Sequence, residues 1–160
     1  MKSNFAAKIL LKLLNCMHYT QDQITEVARH ILQAMQVGKT HTLALHGDLG
    51  AGKTTLVSAI AKELGVVESI ISPTFIVYRV YDIAAVDSSW KKLVHIDAYR
   101  LEGEVDAKKI RLDELFADPT NLVCIEWPEH VGELLPKNAL HATIAYTGEH
   151  ERSIEIGQNE

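Results

Sequence analysis

The segment Gly47-Asp48-Leu49-Gly50-Ala51-Gly52-Lys53-Thr54 leaves this chain few folds to choose from. Gly47, Gly50 and Gly52 allow backbone angles that side chains forbid. A loop built this way can turn successive N–H groups inward around an anion. Such a loop works only when a strand fixes its start and a helix opens at its end, adding the positive pole of the helix dipole. The apolar run Thr42-Leu43-Ala44-Leu45-His46 precedes it, and a helical stretch over 53–64 follows, closed by Gly65. The context is therefore the one the chemistry needs. A random chain of this length matches the pattern roughly once in a few hundred trials. The segment is built to hold the phosphates of ATP or GTP with a magnesium ion. Lys53 reaches the β- and γ-phosphates, Thr54 ligates the metal, and Thr55 bonds a further phosphate oxygen.

The rest of the chain supplies the partners of that strand. Ile24, Val27, Ala28, Ile31, Leu32 and Met35 recur at helical spacing. Thr20 and Gln23 fit a capping box ahead of them, and Gly38 closes the helix. Residues 75–83 alternate as a strand, and Leu93-Val94-His95-Ile96-Asp97 is a second strand expected to pair antiparallel with it. A helix is expected over 105–116. Leu122-Val123-Cys124-Ile125-Glu126 is a continuous apolar run, as in a central strand covered on both faces. Two weaker strands, 139–146 and 152–156, finish the chain. This order reads as α/β, a P-loop NTPase three-layer sandwich with a mixed β-sheet flanked by helices. Residues 20–160 form one P-loop ATPase domain and residues 1–19 an N-terminal extension. Lys8 and Lys12 interrupt the apolar stretch 5–14, so it is neither a signal peptide nor a membrane span. It is either an added amphipathic turn of helix or lies upstream of a true start at Met17.

A P-loop site needs a carboxylate at the end of a neighbouring strand on the metal side. Asp97 and Glu126 both have the form of an apolar run ending in an acid, and spacing alone does not choose between them. His95 shares a strand face with Asp97, which is too few ligands for zinc. Ser72-Pro73-Thr74 follows the P-loop helix, where a hydroxyl can sense the γ-phosphate. No Asn-Lys-x-Asp guanine motif occurs, which points to ATP. The formal charge of −5 argues against a stand-alone nucleic-acid binder. Cys16 and Cys124 form no C-x-x-C pair, so a cytoplasmic setting is expected and a disulfide framework is not.

Several of these segments together resemble one family. Gly-Asp-Leu-Gly-Ala-Gly-Lys-Thr-Thr at 47–55, Ser-Pro-Thr at 72–74, His-Ile-Asp-Ala-Tyr-Arg-Leu at 95–101, Ile-Glu-Trp-Pro-Glu at 125–129 and Leu-Pro at 135–136 are similar, in order and spacing, to the TsaE (YjeE) family. That family comprises small bacterial ATPases of tRNA threonylcarbamoyladenosine formation. The resemblance implies ATP/ADP and Mg2+ as ligands, and Thr54 and Glu126 as the magnesium ligands. It makes Lys53 and Asp97 the catalytic pair, with Asp97 positioning or activating the attacking water. Asp48, Leu49, Gly50, Ala51, Gly52, Lys53, Thr54 and Thr55 would surround the phosphates. Thr74 would lie in a switch loop, Trp127 beside the nucleotide, Thr20 and Thr25 near the adenine, and Arg152 in the last strands. Partners implied are TsaD- and TsaB-type proteins, with tRNA bound mainly through them and no membrane contact.

Two segments depart from the family pattern. Residues 5–14 lie outside the family core, and Lys109-Ile110-Arg111-Leu112 lacks a glycine often seen there, so that helix is expected to enter differently. Arg79, Arg100 and Arg111 are candidates for an arginine finger in cis, or a partner could supply one in trans, so an ATPase that is weak alone and stimulated by partners is expected. Two other functions use the same scaffold. A small-molecule kinase would need an acceptor pocket and usually an arginine-rich lid, and arginine is sparse here. A nucleotide-gated binding module would need only the switch loop.

Overall fold

A computed structural model describes residues 16–158. The readings for residues 5–14 lie outside the described residues. Among the described residues seven strands form one mixed sheet: β1 (Met17–Thr20), β2 (Thr42–His46), β3 (Tyr78–Asp82), β4 (Lys92–Asp97), β5 (Asn121–Glu126), β6 (Leu140–Tyr146) and β7 (Glu151–Gln158). Their order across the sheet is β1-β7-β6-β2-β5-β4-β3. The four central strands β6, β2, β5 and β4 run parallel, while β3, β7 and β1 join antiparallel at the two edges. The mixed α/β sheet expected from the sequence is thus observed.

Every residue of β5 is buried, because helices cover both faces of the central strands. The period of two along each strand splits the core into two layers. Leu43, Leu45, Leu93, Leu122 and Cys124 pack on one face beneath α1 (Ile24–Gly38) and α2 (Lys53–Glu63). Ala44, Val94, Ile96, Val123 and Ile125 pack on the other, against α3 (Glu104–Lys109), α4 (Leu112–Ala117) and the 3-10 segment Pro128–Leu134. His95, Asp97 and Glu126 continue the first set, so all three side chains lie on the α2 face. Arg29 of α1 and Glu63 of α2 form an ion pair at 2.7 Å where the helices meet.

Three elements differ from the sequence reading. β1 is a strand that the reading lacks; four residues, Met-His-Tyr-Thr, are too short to display a period. The strand expected over 75–83 begins at Tyr78, after a turn over 74–77. Val77 there takes φ +69°, and the Tyr78 N–H donates to the Ile76 carbonyl at 2.9 Å, a tight and strained three-residue turn. The helix expected over 105–116 is two helices, broken at Arg111, which takes the left-handed conformation at φ +59°. This is the segment without the family's glycine, and arginine accepts the strained angle in its place.

Candidate nucleotide site

The glycine turn leaves the C-terminal end of β2 and enters α2, as the physics of the motif requires. At Gly47, φ is +135° and an added Cβ would lie 2.4 Å from the Ile144 carbonyl oxygen, so no other residue fits. Gly52 caps α2 at φ +112°. The tip is fastened from β6, where the Tyr146 hydroxyl donates to the Gly50 carbonyl at 2.5 Å. Arg152 of β7 lies over the Tyr146 ring, 4.0 Å from its centroid.

Lys53 is buried and folds back on its own loop. Its Nζ donates to the carbonyls of Gly47 at 2.6 Å and Asp48 at 3.0 Å, and sits 4.0 Å from the centroid of the Trp127 ring. Burial pushes its pKa below the usual lysine range, opposed by the carboxylates of Glu126, Asp97, Glu129 and Asp48. Asp48 itself contributes its backbone carbonyl. Trp127 takes φ +58°, which turns the chain off the end of β5 and lays the indole beside Lys53.

The two acids end neighbouring parallel strands, with Asp97 opposite Glu126 in register. Thr54, in the first turn of α2, donates from Oγ1 to Glu126 Oε1 at 2.7 Å. His95 Nε2 lies 2.8 Å from the same oxygen. Asp97 faces the switch loop instead. Its Oδ2 accepts from Thr74 at 2.5 Å and from Ser72 at 3.2 Å, and its Oδ1 accepts from the Tyr99 backbone N–H at 3.1 Å.

Two clefts meet at the P-loop and share Gly50, Gly52 and Thr55. The smaller, of 280 Å³, gathers Leu49, Lys53, Thr54, Thr74, Asp97, Glu126 and Trp127. The larger, of 460 Å³, opens toward the end of β1 and includes Thr20, Ala51 and Arg152. Most residues singled out from the sequence therefore surround one continuous groove. Thr25 does not line either cleft. It sits half-buried one step around α1, and Ile24 and Asp22 take the place expected for it. The sequence reading also lacked Tyr19, Glu149 and His150 in the larger cleft, and Tyr146 against Gly50. Only the turn residues Gly148-Glu149-His150 between the last two strands gave a local signal. Arg79, Arg100 and Arg111 do not line the smaller cleft; Arg100 lies over Phe75 and Arg111 pairs with Glu114.

His46, the last residue of β2, stacks on His141 of β6, with His46 Nε2 and His141 Nδ1 2.9 Å apart. Burial holds both imidazoles below their usual pKa. No helix among the described residues is long and apolar enough to cross a membrane.

A parallel strand, a glycine turn and a helix opening with Lys-Thr, faced by acids at the ends of the next two strands, define a P-loop α/β protein. Within that class the family is also shown. The model described as threonylcarbamoyl adenosine biosynthesis protein TsaE matches residues 18–154, and the chain belongs to the TsaE family. It is 37% identical over 112 residues to the tRNA threonylcarbamoyladenosine biosynthesis protein TsaE of Bacillus subtilis, covering 70% of this chain and 66% of the relative. The protein of the same name from Streptomyces coelicolor is 35% identical, covering 74% of this chain and 76% of the relative. The crystal structure of Bacillus subtilis YdiB superposes with a TM-score of 0.63 at 26% identity, over 88% of this chain and 84% of that one.

Proposed function

We propose that this protein is a magnesium-dependent ATPase that supports formation of threonylcarbamoyladenosine on tRNA, next to the anticodon, acting with TsaD- and TsaB-type partners in the cytoplasm. The observation that carries the nucleotide reading is the bond of 2.7 Å between Thr54 and Glu126 at the floor of the phosphate cleft. It joins a hydroxyl and a carboxylate from two elements beside the glycine turn. Both are hard oxygen donors of the kind magnesium prefers. Gly47 supports the same reading, since its lack of a side chain lets the turn close against Ile144.

In this reading Thr54 and Glu126 would hold the metal, which would supply neutralisation of phosphate charge. Lys53 exchanges the carbonyls of Gly47 and Asp48 for phosphate oxygens, trading neutral acceptors for charged ones. Asp97 releases Thr74 and Ser72 and holds the attacking water. Thr20 and Arg152 bound the cleft assigned to adenine. The relatives' names and the matched family support the tRNA pathway. The net charge of −5 fits a component that leaves most of the tRNA contact to its partners. Exposed Leu49 and Phe75, 80% and 85% accessible, stand on the P-loop and switch loop where a partner would sense nucleotide state.

A second reading, a nucleotide-gated binding module, gains from the absence of Arg79, Arg100 and Arg111 among the residues lining the phosphate cleft. Single-turnover assays separate the two: ATP cleavage in the purified protein or with partners supports the enzyme, and binding with no cleavage in either supports the module. The pathway is tested by depleting the protein in its host and measuring tRNA nucleosides by mass spectrometry. Loss of threonylcarbamoyladenosine is expected; its persistence sinks the pathway assignment whatever the ATPase does.

A further inference from the structure

We propose that His95 is a positioning residue that fixes the Glu126 carboxylate for magnesium, an inference that rests on the reading of Glu126 as the metal-side acid. His95 has no exposed surface. Its Nε2 lies 2.8 Å from Glu126 Oε1, and its Nδ1 is buried without a hydrogen-bond partner. A histidine kept only for packing would be expected to satisfy both nitrogens. Here a single hydrogen bond is retained, and it goes to the acid that faces Thr54.

A carboxylate oxygen accepts, so Nε2 is the donor, and Nδ1 keeps no partner. Metal binding by His95 itself has no support. Among the described residues no group of three or more His, Cys, Asp or Glu could hold an ion. The neighbour in register is Cys124, which burial keeps protonated. Direct contact with nucleotide is closed to a ring with no surface.

The consequence lies in the Glu126 side chain, which carries more rotatable bonds than an aspartate in the same role. Thr54 from α2 and His95 from β4 hold Oε1 from two elements, and Oε2 makes no hydrogen bond with the described residues. Holding one oxygen sets the torsions that aim the other. Outer partners of this kind typically contribute about 10–100-fold to metal affinity.

The test is a magnesium titration of ADP binding to the full chain, with wild type, His95→Gln and His95→Leu. Glutamine can place an amide donor near the position of Nε2; leucine cannot. His95→Leu should need about 10–100-fold more magnesium for half-saturation, with magnesium-free ADP binding unchanged. His95→Gln should stay within about threefold of wild type, less than half a tenfold step in free energy. Equal weakening of both kinds of binding in His95→Leu, no weakening in either, or a glutamine variant as poor as leucine, overturns the proposal. A wild type that binds ADP without regard to magnesium sinks the underlying assignment of Glu126 instead. Imidazole 15N spectra of the wild-type protein without metal give a readout that needs no variant. A hydrogen on Nε2 is expected; a neutral ring with its hydrogen on Nδ1 overturns the proposal.

Discussion

Asp97 and Glu126 are nearly indistinguishable in sequence and stand side by side in the sheet, yet they are held in opposite ways. Glu126 is gripped by groups on rigid elements: Thr54 at the start of α2 and His95 within β4. Asp97 is gripped by Ser72 and Thr74, hydroxyls on a loop that ends in the strained turn at Val77. An acid fixed by buried secondary structure suits a role that stays constant, such as holding a metal. An acid fixed by a loop suits a role that must be released and resumed. Neighbouring elements, and not the strand-end motif, distinguish the pair.

The sharpest way to break this comparison is Asp97→Asn. It should leave nucleotide affinity near wild type and lower turnover by about 10²–10⁴-fold, the usual contribution of a positioned base. Normal turnover would remove Asp97 from the chemistry. Glu126→Ala should instead weaken magnesium-dependent ADP binding by about 10–100-fold and spare magnesium-free binding, read by calorimetry with and without chelator. If both acids gave the same pattern, the distinction between rigid and loop-held carboxylates would be wrong.

Smaller effects refine the contrast. At Val77 the positive φ favours glycine over alanine, so Val77→Gly should be more stable than Val77→Ala by about 1 kcal/mol in chemical denaturation. The reverse order would mean that the turn is not strained. The histidine pair gives a control that hydrogen-bonds to neither acid. His46 and His141 are held below the usual imidazole pKa, mainly by burial. Between those lowered values and about 6.5, the unfolded chain binds more protons than the folded one, so stability falls as pH drops through that window. His141→Gln should flatten that part of the stability curve, while the contrast between Asp97→Asn and Glu126→Ala at pH 8 is unchanged. An unaltered slope would show that the pair titrates normally.

The parts of the site that were legible in the sequence are local ones. The P-loop, its strand and its helix occupy consecutive residues, so spacing reveals them. β4 and β5 show as apolar runs because both of their faces are covered. What spacing could not assign was the division between Asp97 and Glu126, since that depends on Thr54, Ser72 and Thr74, brought together from distant positions. Resemblance to the family named Glu126 for the metal, and the structure places it in contact with Thr54. β1 escaped because four residues carry no period, and its pairing partner lies more than a hundred residues away. The position of Thr25 outside the cleft lining has the same root: one step of helix rotation is fixed by how α1 docks, which no local pattern encodes. The break at Arg111 was signalled only as a missing glycine.

The larger cleft has walls from the two extremes of the described chain, Tyr19 and Thr20 on β1 and Arg152 on β7, with β1 zipped to β7 from Met17 to Thr20. During synthesis the glycine turn emerges long before the strand that completes this groove. A nascent chain stopped ahead of the final hairpin would have the glycine turn but not the far wall of the larger cleft. Under the proposed reading, ligand-induced protection from proteolysis should arise only once the last strand has docked.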